Sequence, residues 1–259
     1  MIHPTALIDP TAKIGKNVTI GPFSIVGAEV EIGDDSVLQA HAVIYSGVKM
    51  GQANTIHAGV VIGDLPQDLG FVASTPSFVQ IGDRNVIREN VTIHRSSREN
   101  RATSIGDDCY LMAGAHMAHD VCLGNRVILA NNVLLAGYSI VGDRVFFGGG
   151  SVVHQHTRIG RLVMAQGLSG FSKDVPPFTM AAEVNTVFGL NNVGLKRAGF
   201  SPAVRQEIKA AFTLIYRSKM NVSQALATAA RQTWGAEATE FFEFIRGASK
   251  NGICALGTE

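Results

Sequence analysis

IHPTALIDPTAKIGKNVTIGPFSIVGAEVEIG, residues 2–33, carries a period of six. Taking every sixth residue from Ile2 gives Ile8, Ile14, Ile20, Val26 and Ile32, then Leu38, Ile44, Met50, Ile56 and Ile62. All eleven are aliphatic or methionine. Glycine often follows, at Gly15, Gly21, Gly27, Gly33, Gly51 and Gly63. Six matches neither the helical period of 3.6 nor the strand alternation of 2. It fits a triangular coil with one hexapeptide per side and three sides per turn. The aliphatic residue then points into the prism, and the glycine sits near the corner, where the backbone is crowded. One hexapeptide buries little alone; stacked coils share a continuous core.

The frame breaks across Asp64–Gln80 and returns one residue out of phase at Ile81, Ile87 and Ile93. Glu99 fails the pattern; from Ile105 it resumes through Leu111, Met117, Leu123, Leu129, Leu135, Val141, Phe147, Val153, Ile159, Ala165 and Phe171. Two long runs in two frames exclude a sandwich with chance periodicity. The reading is a mainly β chain: a parallel β-helix over 1–186, with loops at about 64–80 and 96–104, then a small α-helical domain over 187–259. Loops leaving a rigid solenoid are where function tends to sit.

After Pro176-Pro177 the signals become helical. Ser201 before Pro202 reads as N-cap and first turn. Val204, Ile208, Ala211, Phe212 and Ile215 follow on one face. Asn221 with Gln224 reads as a capping box for a helix to about Thr233. A third helix covers about Glu237–Ala248. From Asn191 onward there are nine Lys and Arg against five Asp and Glu, so this end is basic while the coil is slightly acidic. A basic patch suits an acidic partner; it equally describes an ordinary solvated helix surface.

The whole chain has 259 residues and a formal charge of +1, so no strong global field points to nucleic acid. Charged residues make up only 17%, and the 28 glycines suit repeated tight turns. Cys109, Cys122 and Cys254 form no metal-ligand spacing and read as free thiols of a reducing compartment. The start, MIHPTALIDP, lacks a basic region followed by an apolar run, so no signal peptide is expected. No apolar run reaches the roughly 18 residues that a spanning helix needs. A cytoplasmic protein is the expectation.

Four of the eight histidines fall in two groups, His116-Met117-Ala118-His119-Asp120 and His154-Gln155-His156. A coil of three hexapeptides stacks His119, Gly137 and Gln155 in one ladder, and Asp120, Tyr138 and His156 in the next. A histidine held beside a carboxylate is what general base catalysis needs. Metal binding by His116 and His119 would need a third ligand that no cluster clearly supplies, and a purely structural polar ladder is the other alternative. There is no Gly-x-Ser-x-Gly, no Cys/His pairing and no phosphate loop.

Several segments resemble one family: IGDRNVIRENVTIHR (81–95), AHMAHDVCLGNRVILANNVLLAG (115–137), KDVPPF (173–178), FGLNNVGLKRAGFS (188–201) and LIYRS (214–218). It is that of the bacterial UDP-N-acetylglucosamine O-acyltransferases, the first enzymes of lipid A synthesis. The resemblance implies a left-handed coil, although parallel crossovers are usually right-handed. It implies a homotrimer with active sites in clefts between neighbouring coils. A hydroxyacyl chain would pass from acyl carrier protein to the 3-hydroxyl of UDP-N-acetylglucosamine. No cofactor or metal is implied; the phosphopantetheine arrives on the acyl carrier protein, as part of a substrate. By resemblance, His119 is the general base, Asp120 orients it, and the Gly137 N–H holds the oxyanion. His116, His154 and Gln155 match further site positions. Gln67 and Asp68 match sugar contacts, Asn191 and Arg197 match nucleotide contacts, and Gly167 matches the position limiting acyl length.

The sequence departs from the family pattern at four places. Gly70 replaces a lysine after Gln67-Asp68-Leu69, Tyr138 replaces a histidine beside the oxyanion glycine, Val193 replaces a glutamate, and Asn185 replaces a histidine of the chain-length region. Losing a cation and a carboxylate removes charge-assisted bonds of roughly 1.5–3 kcal/mol each. Acyl transfer is thus expected to be kept, with recognition of the sugar nucleotide weaker or altered. The alternatives are a paralogue acting on another acceptor, such as an amino-sugar nucleotide, or an inactive scaffold.

Overall fold

The computed structural model describes residues 1–257. Short parallel strands stack into three sheets, with every third strand in the same sheet. The first sheet runs from Leu7–Ile8 to Gly170–Phe171, the second from Lys13–Ile14 to Arg158–Ile159. The third starts at Thr19–Ile20 and continues into the C-terminal part. Partners lie three hexapeptides apart, as in Leu7 with Ile25 and His116 with Leu134. This is the parallel β-helix that the sixfold period predicts.

From Ile20 onward the aliphatic residue of each hexapeptide is buried, and so is the residue two before it. The second column includes Ser24, Ser36, Asn54 and Asn85, all fully buried. Buried polar groups are tolerated only when hydrogen-bonded. Asn54 donates to the carbonyls of Gly51 and Gly82, both at 2.9 Å, and accepts from the Asn85 N–H at 2.9 Å. In the first coil Ile8 and Ile14 are only partly buried, and Ile2 and Leu7 are exposed.

The two excursions are tighter than the sequence suggests. Strand Val61–Asp64 precedes the first and Phe78–Ile81 follows it, so the loop spans 65–77 rather than 64–80. Strands Thr92–His94 and Ala102–Ile105 bracket the second, which spans 95–101 rather than 96–104. Across the first, Val61 pairs with Thr92; across the second, Thr92 pairs with His116. The first spacing exceeds a regular coil by two hexapeptides and one further residue, and that odd residue gives the phase slip. The second exceeds it by a single hexapeptide, which gives none.

The glycines after the aliphatic residue answer to closeness between coils. A Cβ on Gly106 would stand 2.6 Å from Asn125 Oδ1 and 2.8 Å from the Gly124 backbone. Left-handed φ falls two residues later and is mostly carried by other residue types, Asn17, Phe23, His41 and Tyr138 among them.

At the C-terminal end, Thr179–Ala182 extends the third sheet in parallel, and Thr186–Leu190 folds back antiparallel onto it. Strand Ala255–Leu256 closes that edge. Between them lie helices α1 (Asn192–Arg197), α2 (Pro202–Tyr216), α3 (Val222–Ala229) and α4 (Ala236–Arg246). The Ser201 N-cap and the Asn221–Gln224 capping box form as expected. Helix α1 has no counterpart in the sequence reading, because so short a segment, with a glycine inside it, shows no apolar period. Arg158 and Arg161 tie the helices to the coil. Arg158 donates to Asp174 at 2.9 Å and to the Phe244 carbonyl at 2.7 Å; Arg161 pairs with Glu240 at 2.7 Å.

Candidate active site

The corner following the first sheet repeats as residues 118–120, 136–138 and 154–156. Asp120, Tyr138 and His156 hold its left-handed position, with φ of 61°, 62° and 63°. The Tyr138 N–H donates to the His119 carbonyl at 3.1 Å, and the His156 N–H to the Gly137 carbonyl at 3.0 Å. These bonds stack the two ladders expected from a coil of three hexapeptides. Tyr138 and His156 lie ring on ring, with centroids 4.6 Å apart and planes 4° from parallel.

His119 Nδ1 meets Asp120 Oδ2 at 3.0 Å. That carboxylate fixes the proton on Nδ1 and leaves Nε2 as the basic nitrogen. Asp120 is buried, yet the second excursion reaches over to satisfy it. Ser96 Oγ donates to Oδ1 at 2.6 Å, Ser97 N–H and Oγ donate to Oδ2 at 2.9 and 2.8 Å, and Arg98 Nε donates to Oδ1 at 3.1 Å. Burial alone would raise the Asp120 pKa. The bonds from Ser96, Ser97 and His119 outweigh it and hold the carboxyl well below the usual carboxylate range.

Gly137 packs directly against His119. A Cβ there would stand 2.6 Å from His119 Cε1 and 2.8 Å from Nε2. The Gly137 N–H has no hydrogen-bond partner among the described residues. An unpaired N–H beside a basic nitrogen is the pairing that acyl transfer needs: one group takes a proton, the other receives developing negative charge.

His116 sits on the first-sheet strand that leads into this corner, bonded through Nδ1 to Thr92 Oγ1 at 2.7 Å and edge-on to His94 at 5.2 Å. Burial, then the neighbouring His94, pushes its pKa down to about 4. His154 and Gln155 lie exposed one coil beyond Gly137. Gln67 and Asp68 are exposed near the start of the first excursion, where Asp68 Oδ1 accepts from the Gly70 N–H at 2.9 Å. No hydrogen bond joins either to the histidine corner among the described residues. Asn191 caps α1, accepting from the Gly194 N–H and donating to the Leu162 carbonyl, both at 2.9 Å. Arg197 is exposed at the end of α1. Gly167 belongs to another corner, against the Gly149 carbonyl. One chain therefore gathers His119, Asp120 and Gly137, with His116, His154 and Gln155 nearby; Gln67 and Asp68 lie on the excursion that leaves the same corner two coils earlier, and Asn191, Arg197 and Gly167 lie elsewhere on the chain.

Ser96, Ser97 and Arg98 bond the Asp120 carboxylate, and the sequence does not single them out. Its only signal is that a polar excursion has to land somewhere on the coil. Among the described residues, no three of His, Cys, Asp and Glu are placed to share a metal ion, and no helix is long and apolar enough to cross a membrane.

The family profile described as UDP N-acetylglucosamine O-acyltransferase, domain 2, matches residues 174–254. The bacterial transferase hexapeptide profile matches 11–46 and 102–137, and a succinyl-transferase hexapeptide profile matches 30–64. A UDP-N-acetylglucosamine acyltransferase of Bacteroides fragilis shares 40% identity over 98% of this chain and 99% of that one, with a TM-score of 0.91. This chain belongs to the UDP-N-acetylglucosamine O-acyltransferase family. The Acinetobacter baumannii structure is 35% identical over 97% of this chain and 98% of that one, at a TM-score of 0.91. The Arabidopsis acyltransferase is 32% identical over 98% of this chain and all of that one, at 0.87. Within this acyltransferase family the four departures have definite surroundings. Gly70 closes the Asp68 turn, and Val193 is exposed on α1. Asn185 accepts from the Ser172 and Lys173 N–H groups at 2.7 and 3.0 Å. Tyr138 makes T-shaped contact with His119 at 5.1 Å.

Proposed function

We propose that this acyltransferase moves a hydroxyacyl chain from acyl carrier protein to the 3-hydroxyl of UDP-N-acetylglucosamine, the first step of lipid A synthesis, in the cytoplasm. The observation carrying this is the His119–Asp120 pair set against the unpaired Gly137 N–H, in a chain of this family. His119 Nε2 takes the proton of the sugar hydroxyl as its oxygen attacks the thioester carbon. The C–O bond forms, and the carbonyl oxygen gains negative charge, which the Gly137 N–H receives. Collapse breaks the C–S bond, and the departing thiolate recovers the proton from His119. His116, neutral near pH 7, can accept or donate a hydrogen bond to the sugar without adding charge.

A homotrimer is part of this reading. Asn191, Arg197 and Gly167 lie away from the histidine corner within one chain, so a cleft shared with another copy is what would bring all of these positions to one substrate. Outward-facing Leu134 and Val152, at 43% and 44% exposure, flank that corner on the first sheet and offer apolar area for a second copy. Gly167 carries no side chain and leaves room for a long acyl chain, and the basic C-terminal end suits the acidic carrier.

The test is acyl transfer from a panel of hydroxyacyl carrier proteins (C10 to C16) to the hydroxyl and amino forms of the sugar nucleotide. Turnover on UDP-N-acetylglucosamine with one preferred donor length is expected. Preference for the amino form would transfer the reading to the amino-sugar acceptor, with Gly70, Tyr138 and Val193 as the cause. No turnover with any pair would leave a scaffold.

A further inference from the structure

The second excursion and Tyr138 form a connected path to Asp120 that the reaction as described does not use. Ser97 Oγ lies 2.8 Å from Asp120 Oδ2 and 2.8 Å from the Tyr138 hydroxyl. An ionised carboxylate only accepts, so the single Ser97 hydroxyl proton points at Asp120. Tyr138 must then donate to Ser97. The order is Tyr138 O–H to Ser97 Oγ–H to Asp120 Oδ2, which also receives the His119 Nδ1–H. Tyr138 is held from three sides: His156 stacks on its ring, the Arg98 guanidinium lies 5.0 Å from the ring centroid, and His119 meets it edge-on. Arg98 also donates to Asp120 Oδ1, so the excursion closes a loop of contacts around the carboxylate.

We propose that Tyr138 and Ser97 are positioning residues, a two-hydroxyl relay that sets the orientation of Asp120 and, through it, of His119. Neither needs to touch the substrate. A chain of polarised hydrogen bonds strengthens its last link, here Ser97 to Asp120 Oδ2, and so fixes the oxygen that also accepts from His119. The Tyr138 hydroxyl reaches the carboxylate only through Ser97, and this makes the relay separable from the packing of its ring. The inference rests on the acyl-transfer reading of the corner, and its test keeps the two apart.

Steady-state kinetics are measured for Tyr138→Phe, Ser97→Ala, the double variant and Ser97→Thr, with His119→Ala alongside. Tyr138→Phe keeps the ring and its stacking and removes only the hydroxyl. Each single variant should lower kcat about three- to tenfold, the range for one net hydrogen bond, with KM for the sugar nucleotide unmoved. The double variant should be no slower than Ser97→Ala, and Ser97→Thr should restore most of the rate. Losses that multiply in the double variant, or that appear only in KM, overturn the relay. A second readout needs no substrate. In ¹⁵N-histidine-labelled protein, the His119 Nδ1–H signal should shift in both single variants and shift no further in the double. An unmoved signal overturns the relay as well. Full turnover in His119→Ala would instead sink the acyl-transfer reading of this corner, while the ¹⁵N signal still decides the relay.

Discussion

Two corners of the same coil repeat one backbone geometry and use it differently. At the corner after the second sheet, the N–H groups of Lys16, Gln52, Asp83, Asp107 and Asn125 are taken by the Asp or Asn that stacks on them in the next coil, at 2.7–2.9 Å. A glycine precedes each of these acceptors or the residue beneath, because the acceptor oxygen occupies the space where a Cβ would be. At the corner after the first sheet, the equivalent residues are His119, Gly137 and Gln155. There the residue before is Ala118, Ala136 or His154, no carboxylate comes over from the next coil, and the Gly137 N–H is left open. One corner consumes its backbone donors to hold coils together. The other leaves the His119, Gly137 and Gln155 N–H groups unpaired among the described residues, and the 95–101 excursion bonds to Asp120 there instead.

Several substitutions break or sharpen this contrast. The largest effect is expected from His119→Ala, which should lower kcat by about 10²–10⁴ while leaving KM for the sugar nucleotide nearly unchanged, as loss of a general base does. Steady-state kinetics check it; an unchanged kcat would remove the chemical role of this corner. Next come two matched alanines. Gly137→Ala drives a Cβ into the His119 ring and should cost about 10²-fold in kcat with little change in Tm, since the ring can swing toward solvent. Gly106→Ala drives the same Cβ into Asn125 and the Gly124 backbone. It should cost about 1–3 kcal/mol of stability, seen by thermal melting, with kcat per folded molecule intact. Equal effects of the two on both measurements would erase the distinction between the corners. Smaller again, Asp107→Ala exposes the Asp83 N–H to water and should cost about 1 kcal/mol, read from denaturant midpoints, with no loss of turnover.

The smallest effect concerns His116. Its folded pKa of about 4 lies below the unfolded value near 6.5, so the unfolded chain binds more protons between those values. Stability is therefore full above about pH 6.5 and falls as pH drops toward 4. His116→Asn should flatten that part of the stability–pH curve, measured by chemical denaturation at pH 7 and pH 5. A curve of unchanged slope would mean that other groups dominate it.

Much of this was legible in the sequence. A period of six locates the inward residue of every coil, and three hexapeptides per coil put Gly137 over His119 and Tyr138 over Asp120. The slip at Ile81 reports an excursion one residue longer than whole hexapeptides. Less visible was the second inward column, because it mixes Val with Ser and Asn and shows no hydropathy period. The landing place of Ser96, Ser97 and Arg98 was hidden too. The excursion adds one whole hexapeptide and preserves the phase, so nothing in the repeat marks which carboxylate it covers. Asn191 shows the opposite case: a residue matched to a ligand contact already has its side chain engaged in capping α1.

The two ends of the coil are covered unequally among the described residues. The last coil is covered by the Thr179–Leu190 hairpin, strand Ala255–Leu256 and the helices, whereas Ile8 and Ile14 of the first coil are only partly buried. In a stack where each coil touches only its neighbours, loosening starts where a neighbour is missing. Opening should therefore begin among the thinly covered first coils, and the His119 corner stands five coils beyond them. Loosening confined to those coils should leave the spacing of His119, Asp120 and Gly137 unmoved.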